Sequence, residues 1–183
     1  DTFASTAMNI PILGALKLTG TNRSGVTIGL LASMTGQTAA QVLRNGVTDE
    51  IITEPLTNYT VARVQKNWTG NTLLGAMVTS VNRRLNAEHL KDLLVQNAYT
   101  SGLDFTQYFV NRLYYIDAKG MFSTLHGSPA SILATKRNAT HYFQREGAED
   151  YLLLDQNLRS LQGTGGYIKV GKKGNAYLYR ISY

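Results

Sequence analysis

Asp104 and Asp117 are the acids whose spacing best suits catalysis in this sequence. If the segments around them pair through a two-residue turn at Asn111-Arg112, they fall two rungs apart on one face of a hairpin. That spacing fits the ~5–9.5 Å between carboxyls that glycoside hydrolysis requires. The same register sets Asp104 directly across from Lys119, and an acid neutralised by a facing lysine is more often structural than catalytic. No catalytic residue is therefore assigned. The sequence has no Cys and three scattered His (His89, His126, His141), so thiol chemistry and metal spacings such as HExxH are excluded and no metal or cofactor is expected. Ser128-Pro129 reads as a helix start, because no GxSxG surrounds the serine. Gly163-Thr164-Gly165-Gly166 resembles a phosphate loop only by composition, since no GK[ST] follows it.

Lys17, Arg63, Lys119, Lys169 and Arg180 fall on the same polar face as Asp104 and Asp117. A basic lining of this kind suits anions or acidic glycans, or compensates charge on further strands. A second candidate is Tyr142-Phe143-Gln144-Arg145, followed by Glu146, Glu149 and Asp150 in the longest connection. Rings beside polar groups suit sugar stacking, and suit equally a lid packed on a rim. The net charge of +6 comes from 18 Lys+Arg against 12 Asp+Glu, spread mostly singly, with pairs such as Arg83-Arg84 and Lys172-Lys173 beside turns, so nucleic acid is not an expected partner. Asn-x-Ser/Thr triplets at Asn22, Asn58, Asn67 and Asn138 are read as chance.

The elements that position these residues have a period of two. Strands are expected near 12–22, 26–35, 58–68, 72–83, 98–110, 113–123, 165–172 and 175–183, joined pairwise by short turns. At Asn22-Arg23-Ser24-Gly25 a type I turn with a left-handed Gly pairs Leu18 with Leu30, Leu16 with Ala32 and Gly14 with Met34. Lys17, Thr19, Thr21, Thr27, Ser33 and Thr35 take the other face. In the second hairpin Ala62, Val64 and Trp68 are expected to share a face with Leu73, Met77 and Val81, opposite Arg63, Gln65 and Asn67. In the third, Leu103, Phe105, Ile116 and Ala118 share one face, and Asp104, Thr106, Asp117 and Lys119 the other. Between hairpins lie long loops, 36–57, 84–97 and 124–164, with helical stretches over 87–96 and 130–144.

Only 16% of residues are charged, against ~25% in ordinary soluble domains, and no apolar run is long enough for a membrane helix. Short turns at one end, long loops at the other and strands of ~10 residues match an antiparallel transmembrane β-barrel. A soluble ligand-binding barrel with its apolar face inward explains the same alternation but leaves an outer surface poor in charge.

The words Ile10-Pro11-Ile12-Leu13-Gly14-Ala15-Leu16-Lys17-Leu18-Thr19-Gly20, Glu54-Pro55-Leu56-Thr57-Asn58-Tyr59 and Arg63-Val64-Gln65-Lys66 continue through Gly75-Ala76-Met77-Val78-Thr79-Ser80-Val81-Asn82-Arg83, Gly102-Leu103-Asp104-Phe105 and Tyr142-Phe143-Gln144-Arg145. In this order they resemble the uncharacterised outer-membrane β-barrel region that follows a family 9 carbohydrate-binding module in Bacteroidota surface proteins. The resemblance runs from about Ile10 to Tyr183, though no such module lies within this sequence. It implies a bacterial outer-membrane location, dealings with surface glycans, and a barrel larger than eight strands. The alternation Tyr177, Tyr179, Ile181, Tyr183 resembles the terminal signal of outer-membrane proteins and equally suits any lipid-facing strand.

The sequence thus predicts an all-β protein, one membrane barrel domain or part of one over 1–183. Its expected role is non-enzymatic glycan binding or passage. Its expected partners are outer-membrane lipid, glycan and other outer-membrane proteins. A surface glycoside-processing enzyme and a soluble ligand-binding barrel are the alternatives.

Overall fold

The computed structural model describes residues 3–6, 9–44, 46–68, 70–137, 157–173 and 178–182. The first half of the chain runs β1 (Phe3–Thr6), β2 (Ile12–Thr21), β3 (Val26–Thr35), β4 (Thr38–Arg44), β5 (Val47–Glu54), β6 (Leu56–Trp68) and β7 (Thr72–Arg84). The second runs α1 (Glu88–Leu93), β8 (Asn97–Phe109), β9 (Tyr114–His126), α2 (Pro129–Arg137), β10 (Ser160–Lys172) and β11 (Leu178–Ser182). The chain is mostly antiparallel β. Neither helix is long and apolar enough to cross a membrane.

All eight expected strands join one sheet, ordered β11-β10-β9-β8-β7-β6-β3-β2. Every ladder is antiparallel, giving an up-and-down meander. The sheet is open: β2 and β11 are its edges, and no ladder joins them, so the expected closed barrel is not what the described residues form.

The segment 36–57 is not a loop, as its lack of clean alternation suggested. It holds β4 and β5, which pair with β1 in a second sheet, ordered β1-β4-β5. Thr35 pairs with Thr57 and Thr38 with Glu54, so β4 and β5 carry the β3–β6 ladder onward past the long-loop end. The break falls at Pro55, which has no N–H to give a ladder and is fully buried. Asn45-Gly46 is the hairpin signal in the sequence, and Gly46 takes φ 78°.

The turns set the register through their chemistry. Gly25 adopts φ 80°, and the Asn22 side-chain oxygen accepts the Val26 N–H at 3.0 Å. Leu18 then pairs with Leu30, Leu16 with Ala32 and Gly14 with Met34, as expected. At the third turn Asn111 (φ 52°) and Arg112 (φ 64°) supply the left-handed pair of a two-residue hairpin loop, and Asp104 faces Lys119. Val110 is also forced to φ 46°, a conformation that a β-branched residue resists, while its side chain is 67% exposed. Val110→Asn should therefore raise stability by about 1 kcal/mol, read as a higher urea midpoint with an unchanged slope.

The second hairpin corrects the expected faces. Trp68 pairs with Thr72, so even residues oppose even ones: Ala62 faces Val78 and Val64 faces Ala76. Leu73, Met77 and Val81 therefore lie with Arg63, Gln65 and Asn67 on the polar side. β7 has apolar residues on both faces, and alternation alone selects neither.

What core there is sits at the long-loop end, where Leu85, Leu90 and Ile132 are buried around α1 and α2. α1 is shorter than the expected 87–96, while α2 is described to Arg137 and the rest of its expected span lies outside the described residues. Ser128 caps α2, its Oγ accepting the Ser131 N–H at 3.1 Å, and Pro129 occupies the first turn. His89 Nε2 meets the Ile52 carbonyl at 2.7 Å, tying α1 to β5.

Candidate functional site

The meander aligns polar residues from successive strands into rungs across one face. One rung runs Gln65, Gly75, Asp104, Lys119, Tyr167. The adjacent rung on the same face runs Leu73, Thr106, Asp117, Lys169, Arg180. Arg63 belongs to the rung on the other side, opposite Met77. Lys17 lies on this face as well, but faces Leu31 and stands apart from the cluster. Six of the seven charges expected on the polar face thus concentrate in three rungs.

Asp104 does not pair with the lysine opposite. Its carboxylate reaches back over β7 to Arg63, with Nη2 at 3.0 Å from Oδ1 and 3.1 Å from Oδ2. Gly75 makes this reach possible: a Cβ there would lie 2.5–2.8 Å from the carboxylate atoms. Arg63 also donates to Gln65 Oε1 at 3.1 Å. The Asp104 side chain is 16% exposed and that of Arg63 40%, so the pair is half-sheltered from water.

Asp117 is held by two hydroxyls, Thr106 Oγ1 at 3.1 Å and Tyr167 OH at 2.8 Å. Lys119 and Lys169 flank the Tyr167 ring, with Nζ 5.8 and 4.8 Å from its centroid. Both carboxylates are therefore engaged as acceptors within the sheet. What remains is a tyrosine face between two ammonium groups. Such a ring with its two cations offers hydrogen-bond donors and a positive field to a polar or anionic group.

Tyr167 and Gly75 are the members that sequence reasoning placed on strands without singling out. A glycine inside a strand marks close approach, and Gly75 is such a case. Tyr142, Phe143, Gln144 and Arg145 lie outside the described residues. Among the described residues no cluster of three His, Cys, Asp or Glu could hold a metal ion.

The fold and site define a class: an antiparallel meander with one apolar and one polar, charge-laddered face. The chain belongs to the family described as a domain of unknown function, DUF5916, whose model matches residues 1–156. No curated protein and no solved structure matches it.

Proposed function

We propose that the eight-stranded sheet is wall of a bacterial outer-membrane β-barrel larger than these eight strands, which binds or passes surface glycans without catalysing a reaction. One observation carries this reading: the apolar face is open to its surroundings. Leu18 (52% exposed), Val78 (52%), Leu103 (64%) and Ile168 (55%) share that face, far more apolar surface than a water-facing sheet tolerates. Lipid satisfies it, and the 13-residue strands β6 to β10 are long enough to cross the hydrocarbon layer with tilt. Unpaired N–H and C=O groups along β2 and β11 are costly in lipid, and further strands would satisfy them. The resemblance to barrel regions following a family 9 carbohydrate-binding module supports the Bacteroidota surface and glycan parts of the reading. The tyrosine between Lys119 and Lys169 supports a polar or acidic ligand on the inner face.

Semi-native electrophoresis of the chain from washed membranes, with and without boiling, tests the reading. Recovery only in the detergent-extracted fraction is the expected result. A boiling-dependent shift there would mean that these eight strands close by themselves. The absence of a shift would point to a larger parent barrel. A chain that is folded and soluble without detergent would overturn the membrane reading.

A further inference from the structure

The tight-turn end of the sheet carries charge of one sign. Arg23, Lys66, Arg112, Lys172 and Lys173 lie in the turns or within three residues of them, and no acid among the described residues lies there. The described acids are instead at the long-loop end (Asp49, Glu50, Glu54, Glu88, Asp92) or on the polar face, Asp104 as the eighth residue of β8 and Asp117 as the fourth of β9, both engaged within the sheet. Two of the five cations stand on the apolar face beside an aromatic ring. Lys66 shares a rung with Leu74, and its Nζ lies 5.7 Å from the Trp68 ring centroid. Lys172 pairs with Tyr114, and its Nζ lies 5.6 Å from that ring. The rim beneath them is laced together: Lys66 donates to the Ser24 carbonyl, Arg112 to the Gly70 carbonyl, and the Lys173 N–H to the Leu113 carbonyl at 2.7 Å.

We infer that this rim contacts the phosphates of an anionic phospholipid leaflet, with Lys66–Trp68 and Lys172–Tyr114 as its two points of contact. The inference rests on the membrane reading and adds which end meets negative headgroups. Amphipathic rings settle at the level of the headgroups, and an ammonium held beside each ring is then at the depth of the phosphates. Each such lysine favours an anionic surface by about fivefold. The described acid nearest this rim, Asp117, lies on the opposite face and accepts from Thr106 and Tyr167, whereas the long-loop end mixes both signs.

Trp68 is the only tryptophan, so its fluorescence reports this rim alone. The chain is refolded into phosphatidylcholine vesicles with and without phosphatidylglycerol, and insertion is read by Trp68 quenching with lipids brominated near the headgroup. Phosphatidylglycerol should increase insertion. The double variant Lys66→Gln/Lys172→Gln should lose roughly 25-fold of that preference while still inserting into phosphatidylcholine. Equal insertion of the parent chain in both vesicles, or a preference that survives in the double variant, would overturn the inference and leave the membrane reading standing. Failure to enter either vesicle would overturn the membrane reading and this inference with it.

Discussion

An arginine at Val78 should destabilise the folded chain in a bilayer by about 2–4 kcal/mol, roughly a 30- to 900-fold loss in the folded-to-unfolded ratio. Val78 is the middle residue of β7, lies between Ala62 and Ser101, and points from the apolar face. If the sheet spans a bilayer as proposed, a guanidinium there lies at mid-depth in hydrocarbon, too far from either interface to snorkel fully. The next residue, Thr79, points the other way, between Val61 and Thr100, and Thr79→Arg should cost less than about 1 kcal/mol. Equilibrium unfolding in vesicles, followed by Trp68 fluorescence, measures both. The contrast between adjacent positions is the informative quantity. If both substitutions are harmless, the apolar face does not meet lipid, since surface changes in water stay within about 0.5 kcal/mol.

Arg63→Ala should be the most damaging change on the polar face, at about 1–3 kcal/mol. It strands the Asp104 carboxylate, which is mostly sheltered and whose only ion pair among the described residues is with Arg63. The range is set below that of a fully buried pair because Arg63 itself is partly open to water. Asp104→Asn in the Arg63→Ala background should recover part of the loss, giving a coupling of about 1–2 kcal/mol in a double-mutant cycle. Gly75→Ala should reproduce much of the Arg63→Ala effect without removing any charge, because its methyl group would displace the carboxylate from its path over β7. A coupling near zero would mean that the pair contributes nothing in solution.

The sequence made the register legible wherever a turn had a single chemical solution. Asn22 with Gly25, and Asn111 with Arg112, each admit one pairing, and the faces of two hairpins follow from it. β7 defeats the alternation because Leu73, Leu74, Met77, Val78 and Val81 place apolar side chains on both of its faces. β4 and β5 are hard to read because their apolar and polar residues come in blocks, although Asn45-Gly46 marks the turn between them. In the candidate site, the charges and their common face could be read from alternation. The Arg63–Asp104 pair could not, since it requires the register of three strands and the missing side chain of Gly75 between them. Alternation states which side a residue takes, and partners two strands apart depend on the whole sheet.

The polar ladder also bears on how evenly the wall is held together. β9 and β10 are joined through residues 127–159, a longer span than the 36–55 that joins β3 to β6, the 85–96 that joins β7 to β8, or the tight turns of the remaining ladders. Closing that span costs roughly 2 kcal/mol more in chain entropy than closing a four-residue turn. β10 contains Gly163, Gly165, Gly166 and Gly171, each surrendering about 0.5–1 kcal/mol relative to alanine when ordered in a strand. The β9–β10 ladder is therefore the one whose closure costs the most chain entropy. Across it lie the Tyr167–Asp117 hydrogen bond, the Lys119 contact with the Tyr167 ring, and the Tyr115 ring laid over Gly171. The polar cluster is thus also a clasp across the joint with the longest connection.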